Sequence, residues 1–295
     1  MPLPLKEKIA NITMWKRGDT RAPHKPLLLL LMFSKMLHED KRYVLFKEIE
    51  SELEELLKHY GPPRKSHHPE YPFWRLVNDG IWELTPEEPL VSYLNQSRRD
   101  TGVTVLREHD IRGGFTEPIY NQLSDNTNLI YELTEMLLDQ HFPESLHNDI
   151  CESLGLEVAY STTKTKKRDP KFRRLILQRY DYQCAVCGYS IWLMGQPVGL
   201  EAAHIKWHQI GGPDVAENGL ALCALHHKLF DYGAFTLDDS YRIQVSQLVT
   251  GKSGMEKWLY QYRNAPINLP KKEDYYPRDS LRDWHTREVF KRYEV

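Results

Sequence analysis

The sequence predicts an α+β protein of two domains. Its 295 residues exceed the usual length of one domain. A hydrophobic fraction of 41% with 11% aromatic residues is typical of a globular chain. The formal charge is only −2 overall, yet residues 121–160 sum to −8 and residues 161–180 to +7. This step in charge predicts a boundary and divides the chain into a domain over 1–160, a basic linker over 161–172 and a domain over 173–295.

The first domain is predicted to mix helices with short strands. In "RAPHKPLLLLLMFSKMLHED", Pro26 lies in the first turn of a buried helix, where its missing N–H costs nothing. "YVLF" predicts a strand, and "KEIESELEELLKHY" an amphipathic helix that ends at Gly61. "YPFWRLVNDGIWELTP" predicts a β-hairpin turning at its NDG. With helical periodicity over 118–158, the order favours a winged-helix-like α/β module.

The second domain is predicted to contain shorter elements around a cluster of cysteine and histidine. "FRRLILQRY" indicates an arginine-rich helix, and "GAFTLDDSYRIQVS" indicates a hairpin that turns at Asp238, Asp239 and Ser240. Residues 255–295 carry weak helical signals. A small domain of short elements needs another source of stability besides its core.

Two matched pairs of ligands supply that source. Cys184 and Cys187 are separated by two residues, and Cys223 and His226 have the same spacing. Two such pairs form the tetrahedral set that Zn²⁺ prefers, and a site filled by four side chains is structural. The alternative is buried free cysteines with a surface histidine. Cys151 lies outside the set and is expected in the core.

The expected location is the cytoplasm. "MPLPLKEKIA" lacks the apolar core of a secretory signal. The longest apolar run, residues 27–33, is far shorter than the about 20 residues of a membrane span. Four cysteines in a reducing compartment favour a metal site over disulfides.

Three polar residues remain once the zinc ligands are assigned. "LEAAHI" predicts a strand that ends at His204, and "NGLALCALHHKLF" predicts a loop with Asn218 before a helix with His227. Singly, such residues are usually structural. Together with the zinc pairs, their order over residues 184–236 resembles the zinc-containing HNH endonucleases, whose catalytic unit has a ββα-metal fold.

The resemblance implies a role for each of these residues. His204 would be the general base, since the pKa of an imidazole lies near neutrality. His227 would bind one catalytic Mg²⁺ or Mn²⁺. Asn218 would hold the loop and orient His204 through its amide.

One position departs from the family pattern. Many HNH nucleases carry Asp or His immediately before the base as a second metal ligand, and here that residue is Ala203. Glu201 or Asp231 could substitute, or water and substrate could complete the coordination shell.

The first domain also resembles a known family. "RGDTRAPHKPLLLL", "YPFWRL" and "NQSRRDTG" are similar to the sulfur-binding domain of phosphorothioate-dependent restriction endonucleases, over most of residues 10–120. The resemblance implies a sulfur pocket formed by His24, Lys25, Tyr71, Pro72 and Arg75. It also implies that Arg98 and Arg99 contact base edges, since arginine to guanine is the commonest such contact.

The chemistry of such a pocket is plausible. Sulfur accepts hydrogen bonds poorly, so an apolar cavity admits it and penalises a strongly hydrated oxygen. His24 and Lys25, at the start of the buried helix, would hold the backbone charge. Alternatively, Tyr71 and Pro72 form ordinary packing at the start of a strand, and Arg98 and Arg99 form an exposed loop.

The expected function is therefore that of a modification-dependent type IV restriction endonuclease acting on phosphorothioated double-stranded DNA. Cutting both strands with one active site per chain implies a homodimer or repeated encounters. Two alternatives stay open. The first domain could recognise a modified base such as methylcytosine. The protein could also be a non-catalytic, zinc-stabilised DNA-binding regulator, although DNA binding alone needs neither His204 nor His227.

Overall fold

The computed structural model describes residues 4–15, 17–86, 103–156 and 170–293. It separates the chain into two units, residues 1–141 with 147–159 and residues 142–146 with 160–295. Both helices and strands occur in each unit, so the predicted two-domain α+β class is confirmed.

The first part of the chain is mainly helical. Its described helices are α1 (Leu5–Ala10), α2 (His24–Glu39), α3 (Phe46–Tyr60), α4 (Glu70–Arg75), α5 (Val103–Glu108), α6 (Glu117–Ser124), α7 (Thr127–His141) and α8 (Glu144–Leu154). Strands β1 (Tyr43–Leu45), β2 (Trp82–Thr85) and β3 (Arg112–Phe115) form one antiparallel sheet in the order β1-β3-β2.

Helix α2 is the centre of this unit. None of its residues Leu27–Phe33 is more than 2% exposed, as expected for a helical segment whose residues are all apolar. The ring of Phe33 stacks on that of Phe115 in β3 with centroids 5.8 Å apart. Gly113, in the same strand, allows this close packing, because a Cβ there would lie 2.6 Å from the rings of Phe73 and Trp82.

The predicted hairpin over "YPFWRLVNDGIWELTP" is wrong. Its first half is α4 followed by a 3₁₀ turn over Leu76–Asp79, and β2 pairs with β3 instead. Pro72 lies in the first turn of α4, where no hydrogen-bonded N–H is required. Gly80 ends the helical segment with a left-handed φ of 67°, so the NDG signal marks a helix end. Strand-start packing of Tyr71 and Pro72 is excluded for the same reason.

The second part of the chain consists of short elements. Its described strands are β4 (Ile191–Leu193), β5 (Gln196–Val198), β6 (Leu200–His204), β7 (Gly219–Cys223), β8 (Phe235–Leu237) and β9 (Ile243–Val245). Its described helices are α9 (Pro170–Arg179), α10 (Ala224–Asp231), α11 (Ser253–Trp258) and α12 (Asp279–Glu288).

Strands β6 and β7 and helix α10 form the predicted ββα unit. The strands are antiparallel, with His204 opposite Gly219 and Leu200 opposite Cys223. Helix α10 follows β7 directly. Helix α9 packs closely against β7, because a Cβ at Gly219 would lie 2.1 Å from the Ile176 side chain.

Two further sequence predictions fall near this unit. Strands β8 and β9 pair across Asp238, whose carboxylate accepts the N–H groups of Ser240 and Arg242, so that hairpin is confirmed. Residues 161–169 of the predicted linker lie outside the described residues. Its last three residues belong to α9, which starts at Pro170, a favourable first helical position for proline.

Within the described ranges, no helix has both the length and the apolar character needed to cross a bilayer.

Candidate metal centres and DNA-contact residues

The four predicted zinc ligands converge in the second unit. One potential ligand atom from each of Cys184, Cys187, Cys223 and His226 lies within 4.8 Å of all the others. Sulfur atoms around a tetrahedral zinc are about 3.8 Å apart, so the cluster fits a structural zinc ion. Cys151 is buried outside it, as expected.

The orientation of His226 supports this assignment. Its Nδ1 lies 3.1 Å from Cys223 Sγ and 3.6 Å from Cys184 Sγ. Its Nε2 lies 2.8 Å from the main-chain carbonyl of Trp258. Zinc-ligating histidines usually donate their second ring N–H to such an acceptor, which fixes the tautomer that binds the metal.

His204 ends β6 and is held by two neighbours. Its Nε2 lies 2.7 Å from Asp214 Oδ1. Its ring stacks on Phe172 of α9, with centroids 4.0 Å apart and planes at 12°. The side chain of His204 remains 22% exposed, so part of the ring is accessible to solvent.

Asn218 holds the loop between His204 and β7. Its Oδ1 accepts the N–H of Lys206 at 2.8 Å, and its Nδ2 donates to the carbonyls of Lys206 and Pro213 at 3.0 and 2.9 Å. The residue is fully buried. These bonds reach the main chain two residues after His204 and one residue before Asp214, so Asn218 fixes the ends of the loop that carries both.

His227 lies between two carboxylates. Its Nδ1 is 2.5 Å from Glu201 Oε2, and its Nε2 is 3.1 Å from Asp231 Oδ2. Burial lowers the pKa of His227, but the carboxylates of Asp231 and Glu201 outweigh it and raise the pKa to about 9. This environment therefore favours positive charge.

The two carboxylates differ in their surroundings. Asp231 is buried and also accepts the hydroxyl of Ser145, whereas the Glu201 side chain is 41% exposed. They contact opposite nitrogens of one ring, so only one of them could share an ion with His227. Glu201 lies two residues before Ala203, on the same face of β6.

In the first unit, Tyr71 is held between two side chains. Its ring stacks on His68 at 4.5 Å, with planes at 8°, and the Arg75 guanidinium lies 4.6 Å from the ring centroid on α4. His68 also pairs with Glu70 at 2.9 Å. Pro72 is buried beside Tyr71. Three of the five predicted pocket residues are therefore neighbours on one short helix.

His24 begins α2 in a basic environment. Burial is the main cause that lowers its pKa to about 4, and the charges of His67, His68 and Arg64 act in the same direction. A hydrogen bond with the main chain of His67 opposes the shift. His24 is therefore neutral near pH 7. From the sequence, His24 was expected to help bind the negative charge of the DNA backbone.

Lys25 has an internal partner. Its Nζ lies 2.5 Å from Asp79 Oδ2 and donates to the Thr13 carbonyl at 2.8 Å. Asp79 also accepts the N–H of Thr13 at 2.7 Å. Lys25 is only 8% exposed, and its ammonium group is bound to Asp79 and Thr13. Its contact with DNA stays a prediction.

Some candidate functional residues are apparent only in the structure. Asp214 and Phe172 contact His204 but belong to no motif, since pairing across a loop or between a helix and a strand leaves no spacing signal. Arg64 and His67 likewise approach His24 only through the fold. Arg98 and Arg99 lie outside the described residues.

Two family models match different parts of the chain. Residues 3–159 match the family model of the ScoMcrA-like DNA sulfur-binding domain. Residues 184–238 match an HNH endonuclease model, so the second unit carries an HNH endonuclease domain. Among curated proteins, no relative of this chain was found.

Three solved structures are similar to parts of the chain. The sulfur-binding domain of ScoMcrA with phosphorothioated DNA shares 21% identity and a TM-score of 0.43, over 52% of this chain and 97% of that one. The type IV endonuclease ScoMcrA shares 23% identity and a TM-score of 0.45, over 53% of this chain and 29% of that one. The modification-dependent endonuclease TagI shares 23% identity and a TM-score of 0.29, over 40% and 37%.

The family models therefore carry the identification. The sulfur-binding model covers more than half of the chain, and the HNH model covers the ββα unit with its cysteine and histidine cluster. The chain belongs to the family of proteins with a ScoMcrA-like DNA sulfur-binding domain, which it combines with an HNH endonuclease domain.

Proposed function

We propose that this protein is a type IV restriction endonuclease that binds phosphorothioated double-stranded DNA and hydrolyses phosphodiester bonds nearby. The observation that carries the proposal is the presence, in one chain, of a sulfur-binding domain and an HNH domain. The HNH domain has little reason to be selective by itself, because hydrolysis requires only a phosphodiester. The first domain would supply the selectivity, and a DNA substrate favours a cytoplasmic location.

The sulfur pocket is proposed at the start of α4. Tyr71 presents an aromatic ring whose position is fixed by His68 and Arg75, and Pro72 adds apolar surface beside it. Apolar surface favours sulfur over oxygen, because sulfur loses less hydration on contact. The guanidinium of Arg75 would supply charge for the same backbone group.

His24 and Lys25 have different proposed roles from each other. A neutral imidazole at His24 would donate one hydrogen bond to the modified backbone instead of carrying a charge. Lys25 would support the start of α2 through Asp79, and it would reach DNA only by exchanging that partner. Arg98 and Arg99 remain the proposed contacts to base edges.

The nuclease chemistry is assigned to the ββα unit. His204 would accept a proton from the attacking water, a role that suits an imidazole near neutral pH. Asn218 would keep His204 in place through the main chain of its loop. The Cys₃His cluster would hold a structural zinc that stabilises this small domain.

The proposed catalytic cation site consists of His227 and Glu201. Their facing atoms, Nδ1 and Oε2, could bind one Mg²⁺ or Mn²⁺ in place of the proton between them. Asp231 would instead orient the ring by accepting the Nε2 hydrogen, a common arrangement behind metal-bound histidines. A bound divalent ion would supply Lewis-acid stabilisation of the phosphate.

A homodimer is proposed for cleavage of both strands. The hairpin formed by β4 and β5 supports it, because Ile191, Leu193 and Met194 are 54%, 64% and 96% exposed. Residues 190–199 carry no charged side chain, so two copies of this surface would meet without repulsion. Sedimentation of wild type and Met194→Glu tests this, since a dimer through the hairpin would dissociate in the variant.

A cleavage assay on matched duplexes tests the proposed function. One duplex carries a single backbone sulfur, one carries methylcytosine and one is unmodified, each with Mg²⁺ or Mn²⁺. Cleavage of the sulfur duplex alone is expected. Preference for methylcytosine would favour recognition of a modified base, and cleavage of none would favour a DNA-binding regulator.

A further inference from the structure

Asp214 is the acidic partner of His204. Its Oδ1 lies 2.7 Å from the ring Nε2, and its side chain is 39% exposed. We propose that Asp214 is a positioning residue that fixes His204 in the tautomer able to act as base through Nδ1. This inference rests on the proposed nuclease function and names a residue that none of the sequence motifs contains.

The chemistry of the pair determines the tautomer. A carboxylate only accepts hydrogen bonds, so a neutral His204 bound to it carries its hydrogen on Nε2. The lone pair is then on Nδ1, which becomes the basic atom. When Nδ1 takes a proton from water, the positive ring lies beside a negative carboxylate, and a charge-assisted hydrogen bond stabilises it.

Proton transfer to His204 accompanies the attack of water on the phosphodiester. The water oxygen forms a bond to phosphorus as its proton moves to Nδ1. The bond between phosphorus and the leaving oxygen breaks, and its electron pair stays on that oxygen. The proton on Nδ1 then passes to solvent, which returns His204 to its neutral form. Asp214 keeps its charge throughout and transfers no proton.

Phe172 and Asp214 restrict the ring in different ways. The face-to-face stack with Phe172, at 4.0 Å and 12°, fixes the plane of the imidazole. A stack alone permits two orientations in that plane, related by a half turn of the ring. The hydrogen bond to Asp214 selects one of them, so the two contacts together define where Nδ1 lies.

Asn218 stabilises the separation of the pair. It binds Lys206 on one side of the loop and Pro213 on the other, and Asp214 follows Pro213 directly. The loop can therefore present the carboxylate at a fixed distance from β6. This role explains why Asn218 is buried and why its described hydrogen bonds join main-chain atoms of the loop.

Another titratable group that faces His204 is His208, whose ring centroid lies 5.9 Å away. Helix α9 contributes the uncharged Phe172 to this environment. Asp214 is a carboxylate in direct hydrogen-bond contact with the ring, and it is the group to change.

The test compares Asp214→Asn, Asp214→Glu and the control Asp239→Asn in the full chain. Asp239 is exposed in the β8–β9 turn. With sulfur-containing duplex and Mn²⁺, Asp214→Asn should lower kcat by about 10²-fold or more, as expected for a misdirected base. KM, zinc content and melting should stay at the wild-type values. Asp214→Glu should have a kcat between those of Asp214→Asn and wild type. The control Asp239→Asn should keep the wild-type kcat.

The pH profile distinguishes positioning from a general structural effect. Without the carboxylate, protonation of His204 is less favourable, so the acid limb of the kcat/KM profile should move to lower pH in Asp214→Asn. An unchanged profile and rate would overturn the inference. Loss of zinc or melting temperature in parallel with activity would also overturn it, because the residue would then be structural.

Nitrogen NMR of histidine-labelled protein tests the tautomer without any cleavage. The signal that is absent from His204→Ala identifies His204. In wild type this signal should show the hydrogen on Nε2, and in Asp214→Asn the ratio of the Nε2–H to the Nδ1–H tautomer should change. A wild-type enzyme that cuts DNA with hydrogen on Nδ1 would overturn only the role of Asp214. Failure of wild type to cut any duplex would overturn the proposed function itself.

Discussion

Glu201 Oε2 lies 2.5 Å from His227 Nδ1, two residues before the alanine that replaces the usual second metal ligand. Alternate residues of a strand share a face, so a carboxylate two positions earlier still points toward α10. The longer side chain of glutamate compensates for the shift along β6. A cation site could therefore form with Glu201 although position 203 is an alanine.

This relationship predicts the metal dependence of cleavage. Glu201→Gln should raise the Mn²⁺ concentration for half-maximal cleavage by about 10-fold or more, because even a residue behind the metal ligands contributes about 10- to 100-fold to metal affinity. Glu256→Gln, in exposed α11, is the control. Titration of Mn²⁺ at fixed DNA gives the measurement, and an unchanged requirement would favour a shell completed by water and substrate.

The structural zinc predicts a difference between cysteines. Cys184→Ser or Cys223→Ser should lose bound zinc and lower the stability of the HNH domain, since metal binding contributes directly to folding. Cys151→Ser changes a buried cysteine outside the cluster and should keep the zinc. Metal analysis and thermal melting test this. Unchanged melting after loss of zinc would rule out a structural role.

His204→Ala should separate binding from cleavage. Removal of a general base lowers rates by about 10²–10⁴-fold. Zinc content and DNA affinity should not change, because His204 belongs neither to the Cys₃His cluster nor to the proposed sulfur pocket. His208→Ala changes the neighbouring ring and is the matched control. Comparable cleavage by wild type and His204→Ala would place the base elsewhere.

The sequence predicted the nuclease unit better than the first domain, for physical reasons. The zinc pairs are local, and their spacing defines a turn and a helix start that fix His226 and His227. The hairpin prediction failed because Pro72 and the NDG turn suit a helix start and end as well as a hairpin. The partners of His204 and His24 could not be predicted, since they are brought together only by the fold.

The low pKa of His24 predicts acid sensitivity. A pKa of about 4 in the folded chain lies below the ordinary 6.5, so the folded state resists protonation. Its contribution is complete above about pH 6.5 and is lost as the pH falls toward 4, at about 1.4 kcal/mol per pH unit. Between pH 7 and pH 5, wild type should lose about 2 kcal/mol more than His24→Gln does. Urea unfolding at both pH values tests this difference, and parallel losses would contradict it.

The proposed mark predicts a preference that survives salt. The cleavage-deficient His204→Ala chain should bind a duplex with one backbone sulfur about 10- to 100-fold more tightly than the same unmodified duplex, because desolvation differences of about 1–3 kcal/mol are ordinary for such contacts. Added salt should weaken both complexes through their phosphate contacts. The ratio should persist, since desolvation is not screened.

Variants of the first domain should separate the contributions to this preference. In the same background, Tyr71→Ala should reduce the preference more than it reduces affinity for unmodified DNA, because the ring would contact the sulfur. Tyr293→Ala removes an exposed aromatic residue near the end of the chain and should change neither quantity. Arg98→Ala should instead relax the dependence on neighbouring bases. Equal affinity for the two duplexes over the whole salt series would overturn the sulfur proposal, and tighter binding of a methylated duplex would then identify a base as the mark.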